Sequence, residues 1–184
     1  EWLESVETLV GLDPDHVSFY LLELYPNAPL KDEMARGGWN QAPQDRAADM
    51  YHVGVDRLAA AGYEQYEISN AAHAGRRSRH NLKYWSDGAW VGFGCGAHST
   101  SAGERWQNVS GIGDYIDLVD EGRAPVGNHR RLSMEERLTD TMFLGLRLSD
   151  GISMGAVRRQ YGVDVWSRWG PELAPFVEAG LLVR

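Results

Sequence analysis

The chain has 184 residues, 43% of them hydrophobic and 24% charged, and its net charge is -8. That balance is ordinary for a globular protein with its own core, and the acidic sign counts against nucleic acid, whose phosphates need a basic face. One cysteine permits no internal disulfide, which fits a reducing cytoplasm; no run of residues is apolar and long enough to span a membrane, and none reads as a signal peptide.

Trp2, Val6 and Val10 recur at helical spacing and stop at Gly11, which predicts a short amphipathic helix over 2–10. After the Asp13-Pro14-Asp15 turn, residues 16–25 are almost continuously apolar, the pattern of a strand buried on both faces. Glu23 lies near the C-terminal end of that strand, the end that faces the ligand crevice in parallel α/β sheets. Residues 31–42 read as a loop. Pro43 opens a helix with Ala47, Tyr51, Val55 and Leu58 on one face, closed by Gly62, and a strand follows over 63–68. Alternating strands and helices with short connections predict parallel pairing and an α/β fold.

From Ala71 to Ser86 the composition is polar and irregular, so a loop is expected; Trp90 to Phe93 and Gly96 to Ser101 read as short strands. Residues 114–121 carry a helix, and 122–131, with Pro125 and Gly127, read as a linker. Ser133 and Glu136 form an S-x-x-E capping box that opens a second, helical module. Ser153 caps its next helix, to about Tyr161, and Leu173, Phe176 and Val177 mark a third. Three short helices before a nascent strand at 180–184 resemble a winged helix. Glu1 to Glu4 starts as if inside a helix and the last residues stop as if inside a strand, so the chain is expected to be a piece of a longer protein.

The stretch from Tyr66 to Thr100 concentrates candidate chemistry, with His73, His80, His98, the glycines and Cys95. Gly92-x-Gly94-x-x-Ala97 formally matches a dinucleotide fingerprint, but no helical pattern follows it. On residues alone, glycines placed for close approach of a ligand and glycines placed for tight packing are equally compatible with Gly92, Gly94 and Gly96. His98 beside them gains weight under the first reading. His80, followed by Asn81, Tyr84 and Trp85, is an imidazole in an aromatic setting, which suits axial ligation of haem iron; a loop histidine held by Asn81 is the simpler alternative. Glu23 and Glu67 form a conceivable acid pair, Ser99 lacks a nucleophile-elbow context, and nothing nearby activates Cys95.

Tyr66-Glu67-Ile68-Ser69-Asn70, Arg79-His80-Asn81-Leu82-Lys83-Tyr84-Trp85 and Gly92-x-Gly94-x-Gly96-Ala97-His98-Ser99 closely resemble the HemW-type haem chaperones. These are radical S-adenosylmethionine proteins akin to oxygen-independent coproporphyrinogen III oxidase, and the resemblance runs from His16 to Asp150-Gly151-Ile152 and beyond. It implies the C-terminal part of a partial TIM-like radical SAM barrel with its extension over 1–128, then a truncated winged-helix-like α-helical domain over 129–184. The resemblance also implies haem binding by the H-N-x-x-Y-W segment, here His80, Asn81, Tyr84 and Trp85, with His80 as the expected iron ligand. Glu23 and His98 fall where the related oxidases contact S-adenosylmethionine, and Gly94 and Gly96 beside His98 are further candidate cofactor-binding residues. Ala71 stands where a phenylalanine is usual, and Cys95 where a proline is.

The resemblance further implies haem as cargo and haem-accepting proteins as partners, in the cytoplasm, with peripheral membrane association compatible. The full-length protein is expected to hold S-adenosylmethionine and a four-iron four-sulfur cluster. The cluster needs a cysteine triplet and this chain has Cys95 alone, so the chain by itself is expected to perform no radical chemistry. The alternative within the family is oxygen-independent coproporphyrinogen III oxidase, a radical oxidative decarboxylation in porphyrin biosynthesis.

Overall fold

The computed structural model describes residues 1–184, which form two compact units, 1–78 and 79–184. In the first, α1 (Trp2–Leu12) leads into β1 (His16–Ser18), α2 (Pro29–Gly37), α3 (Gln44–Ala60), β2 (Glu64–Glu67) and β3 (Asn70–Ala72). The predicted first helix is present and closes on Asp13, a left-handed residue (φ 47°) whose N–H reaches Val10 O. Val17, Leu58, Tyr63 and Ala71 make the core, with Leu9, Val10 and Phe19 packed against it. Arg57 of α3 grips the Glu7 carboxylate of α1 through two hydrogen bonds of 2.7 and 2.5 Å, tying the two helices outside the core.

The sheet departs from the expected parallel wiring. Its strand order is β1-β3-β2, with both neighbours antiparallel to β3 and therefore parallel to each other. The reason is local: only Ile68 and Ser69 separate β2 from β3, and a two-residue connection can join only antiparallel strands. Asn70-Ala71-Ala72 is too short to show an alternating pattern, so the middle strand lay hidden within apparent loop. The apolar run after β1 is also shorter as a strand than expected. Its last ladder bond is Phe19 N–H to Ser69 O, 2.9 Å, after which Tyr20, Leu21 and Leu22 are exposed. Glu23 therefore sits in irregular chain rather than at a strand end. Part of the expected loop at 31–42 is helix: Pro29, just ahead of it, opens α2, and Gly38 (φ 65°) stops it.

The second unit contains α4 (Arg79–Trp85), β4 (His98–Ser101), β5 (Glu104–Asn108), α5 (Ile112–Asp120), β6 (Val126–Arg131), α6 (Met134–Gly145), α7 (Met154–Tyr161) and α8 (Val165–Glu178). The sheet is antiparallel in the order β4-β5-β6, with Ala102 and Gly103, both at positive φ, making the tight hairpin turn. The expected linker thus contains a strand. All six residues of β6 are exposed, so hydrophobic periodicity had nothing to register there. Gly127 lets it pass close to Val109, which would stand 3.1–3.3 Å from a Cβ and have to shift by a few tenths of an ångström. Of the expected strand at 90–93, only an isolated bridge from Trp90 to Thr100 exists.

The Ser133–Glu136 capping box forms at the start of α6, and Ser153 caps α7. Leu138, Val157 and Val165 make the module's core, with Met142, Tyr161, Trp169 and Leu173 around it. The third helix starts well before the expected region, since α8 runs through Pro171 and Pro175, residues that read as breaks in a sequence. Residues 181–184 are not a strand; Leu181 and Leu182 donate to Phe176 O and close α8. No helix is long and apolar enough to cross a membrane.

Candidate functional site

His80 lies in a helix, not a loop: α4 covers the whole Arg79–Trp85 segment. Helical spacing places His80 and Tyr84 on one face, with Asn81 and Trp85 on the next face round. The His80 ring is exposed, and its Nε2 is 3.0 Å from the Tyr84 hydroxyl, with the rings edge-on at 4.9 Å. Tyr84 in turn packs on Trp90, ring centroids 4.5 Å apart. The simpler reading of His80 as held by Asn81 gives way to this tyrosine contact.

The C-terminal end of α4 is tightly stopped. Ser86 N–H bonds Leu82 O at 3.0 Å and Gly88 N–H bonds Lys83 O at 2.8 Å, around Asp87 at a left-handed φ of 53°. Asp and Asn tolerate that conformation better than other side chains. Asp87 is paired with Arg137 of α6 at 3.4 Å. One residue pair past α6, the Arg147 guanidinium lies 4.3 Å over the Trp85 ring. Trp85 Nε1 is buried and has no acceptor. Trp90, Asp87, Arg137 and Arg147 were not singled out from the sequence. The available signal for Arg147 was a cation set between Leu146 and Leu148, apolar neighbours that a solvated arginine does not need.

The glycines form a pinned loop ahead of β4 rather than a strand. Gly92 answers to packing: a Cβ there would meet His98 O at 2.3 Å. Gly94 (φ 97°) and Gly96 (φ 70°) answer to backbone conformation, with open space where a Cβ would be. Gly92 N–H donates to Ser99 Oγ at 2.9 Å and Gly94 N–H to Tyr115 Oη at 3.0 Å, while Asn108 Nδ2 donates to Gly94 O at 2.9 Å. Ser99, Asn108 and Tyr115 are therefore clamps on this loop. His98 is exposed on β4 beside a depression of about 230 Å³ lined by Arg105, Gln107 and Arg130 among others. That volume is below the usual range for drug-sized ligands.

Glu23 and Glu67 both belong to the first unit, and their environments differ. Glu23 is exposed. Glu67 is 1% exposed, and its Oε1 accepts from Ser69 N–H at 2.8 Å and from the Asn70 amide. A carboxylate so occupied anchors the β2–β3 turn, which leaves no basis for the acid pair. Asn70 Oδ1 accepts from Ser18 Oγ at 2.5 Å, and Tyr66 Oη meets His16 Nε2 at 2.8 Å, so the Tyr66–Asn70 segment is a cross-strand polar lock. His73 sits against Asp13 (3.0 Å) and Gly62 O (3.1 Å), and the Asp13 hydrogen bond raises its pKa above the ordinary 6.5. His73 is thus a structural residue. Cys95 is exposed, and no group of three or more His, Cys, Asp or Glu side chains is placed to hold a metal ion.

The chain is similar to several known proteins. Residues 132–184 match the HemN C-terminal domain. The haem chaperone HemW of Bacillus subtilis is 37% identical over 178 residues, which is 97% of this chain and 47% of that protein. A bovine (Bos taurus) protein named mitochondrial radical S-adenosyl methionine domain-containing protein 1 is 32% identical over 196 residues, 99% of this chain and 44% of its own. The solved structure of Escherichia coli coproporphyrinogen III oxidase (HemN), titled a radical SAM enzyme, superposes with a TM-score of 0.73 over 98% of this chain and 45% of that one, at 16% identity. The last likeness is one of fold. The chain spans under half the length of these relatives.

Proposed function

We propose that the chain is part of a haem chaperone of the HemW type, which takes up haem through His80 and passes it to acceptor proteins. The observation that carries the reading is the exposed imidazole of His80 on α4, within an intact H-N-x-x-Y-W segment and next to aromatic rings. Curated relatives named haem chaperone HemW match nearly the whole chain. An imidazole supplies the axial bond to iron, and flat aromatic side chains suit the porphyrin face. Asn81, Tyr84 and Trp85 complete the segment.

Coproporphyrinogen oxidation remains the second reading, favoured by the fold shared with HemN. It requires a cluster, and the donor set here does not fit one: a four-iron cluster is held by several thiolates, and Cys95 is a single exposed thiol. No radical step is assigned to this chain. In the full-length protein, Glu23, Gly94, Gly96 and His98 would be the contacts to S-adenosylmethionine. The proposal includes a partial-barrel origin for residues 1–128 and a winged-helix character for the helical domain over 129–184. It also includes a cytoplasmic location, haem-accepting partners and peripheral membrane contact.

Haem titration of the full-length protein tests the reading. His80→Ala should weaken binding by about tenfold or more and shift the Soret band, since even outer-shell changes at metal sites cost about 10–100-fold. An unchanged band and affinity in the variant would rule out ligation by His80.

A further inference from the structure

We propose that Arg147 is a positioning residue for haem capture, acting through Trp85 on the helix that carries His80. The inference rests on the reading of α4 as the haem-binding segment. Seven residues are too few for a helix to persist on its own, and α4 buries none of its side chains fully. Its position must come from tethers. Among them are the Arg147 guanidinium 4.3 Å over Trp85, the Arg137–Asp87 pair at 3.4 Å, and the Tyr84–Trp90 contact.

Of these, the Arg147–Trp85 stack is the one by which the terminal module bears on a side chain of the H-N-x-x-Y-W segment itself. Trp85 and Asn81 occupy the helix face adjacent to that of His80 and Tyr84, so rotation of α4 about its axis is resisted by the wedge under Trp85. The indole N–H is buried without an acceptor, an arrangement that costs free energy and that hydrogen bonding does not explain. The cation over the ring face is a separate attraction, and such a contact is stronger when desolvated. Arg147 also lies within the region that matches the HemN C-terminal domain. The terminal module would therefore contribute to haem capture by holding the aim of an imidazole it does not carry.

The experiment is haemin titration of the full-length protein as wild type, Arg147→Ala, Arg147→Lys, His80→Ala and Leu138→Ala, reading affinity, Soret position at saturation and melting temperature. Arg147→Ala should lose about tenfold in affinity and move the saturated Soret band toward that of His80→Ala. Arg147→Lys keeps a cation over the ring and should recover most of both. Leu138→Ala opens a cavity in the same module's core, so it should lower the melting temperature and leave the Soret position alone. Wild-type affinity and band position in Arg147→Ala would overturn the proposal, as would an equal band shift in Leu138→Ala or no recovery with lysine. A wild-type spectrum from His80→Ala would instead overturn the haem-binding reading on which it stands.

Discussion

Iron binds an imidazole only through a nitrogen with an available lone pair, and His80 Nε2 is engaged with the Tyr84 hydroxyl at 3.0 Å. Whichever tautomer is present, the phenol must leave before iron can take that nitrogen. A hydrogen bond of this kind is worth about 0.5–1.5 kcal/mol net, so its removal should raise haem affinity about fivefold. Tyr84→Phe keeps the ring against Trp90 and deletes only the hydroxyl. Stopped-flow haemin binding should show tighter uptake at an unchanged Soret position; equal or weaker binding would mean that Tyr84 does not guard the nitrogen. The glycines make a contrasting case at the same scale. Alternating Gly92, Gly94 and Gly96 left ligand approach and tight packing balanced, and the structure divides them by residue: His98 O excludes a side chain at Gly92, while positive φ accounts for Gly94 and Gly96.

At the scale of elements, what was legible followed from how each element is stabilised. α1, α3, α6 and α7 carry their own signals, an apolar stripe or a side-chain cap, and each was found close to its place. β3 and β6 are defined by their neighbours: one is three residues long, the other wholly exposed, and their existence depends on the strands they pair with. α4 likewise depends on residues outside itself, Trp90 and Arg147 among them, so the 71–86 stretch carries no helical signal of its own. The capping box also makes a pH prediction. Ser133 N–H, then the Arg130 guanidinium, hold the Glu136 carboxyl down to about 2, below its ordinary 4.5. A carboxyl with a lowered folded pKa stabilises fully above about 4.5 and loses that contribution as pH falls through about 2. Glu136→Gln should therefore be less stable than wild type at pH 7, with the gap closing between pH 4.5 and 2 in denaturant melts. A gap that stays constant over that range would show that the charge on Glu136 contributes nothing to α6.

For the molecule as a whole, the mixed α/β class was legible from alternating helix and strand patterns, and the antiparallel pairing was not, since it is decided by a two-residue connection and a strand without pattern. The family segments were legible because order and spacing survive where local structure is misread. Relatives of this chain are named haem chaperones and radical S-adenosyl methionine domain proteins, and the two demands differ at the level of side chains. Haem uptake asks for one exposed imidazole with aromatic neighbours, and α4 presents it. A four-iron cluster asks for several thiolates, and the only thiol is Cys95. The 184-residue chain incubated with iron and sulfide under anaerobic conditions should thus gain no stoichiometric cluster by iron analysis or by electron paramagnetic resonance after reduction. The same preparation should still take up haem and lose that uptake in His80→Ala. A stoichiometric cluster on this chain would require non-cysteine ligands and would return radical chemistry to it, whereas uptake of haem without a cluster separates cargo binding from catalysis within a single fold.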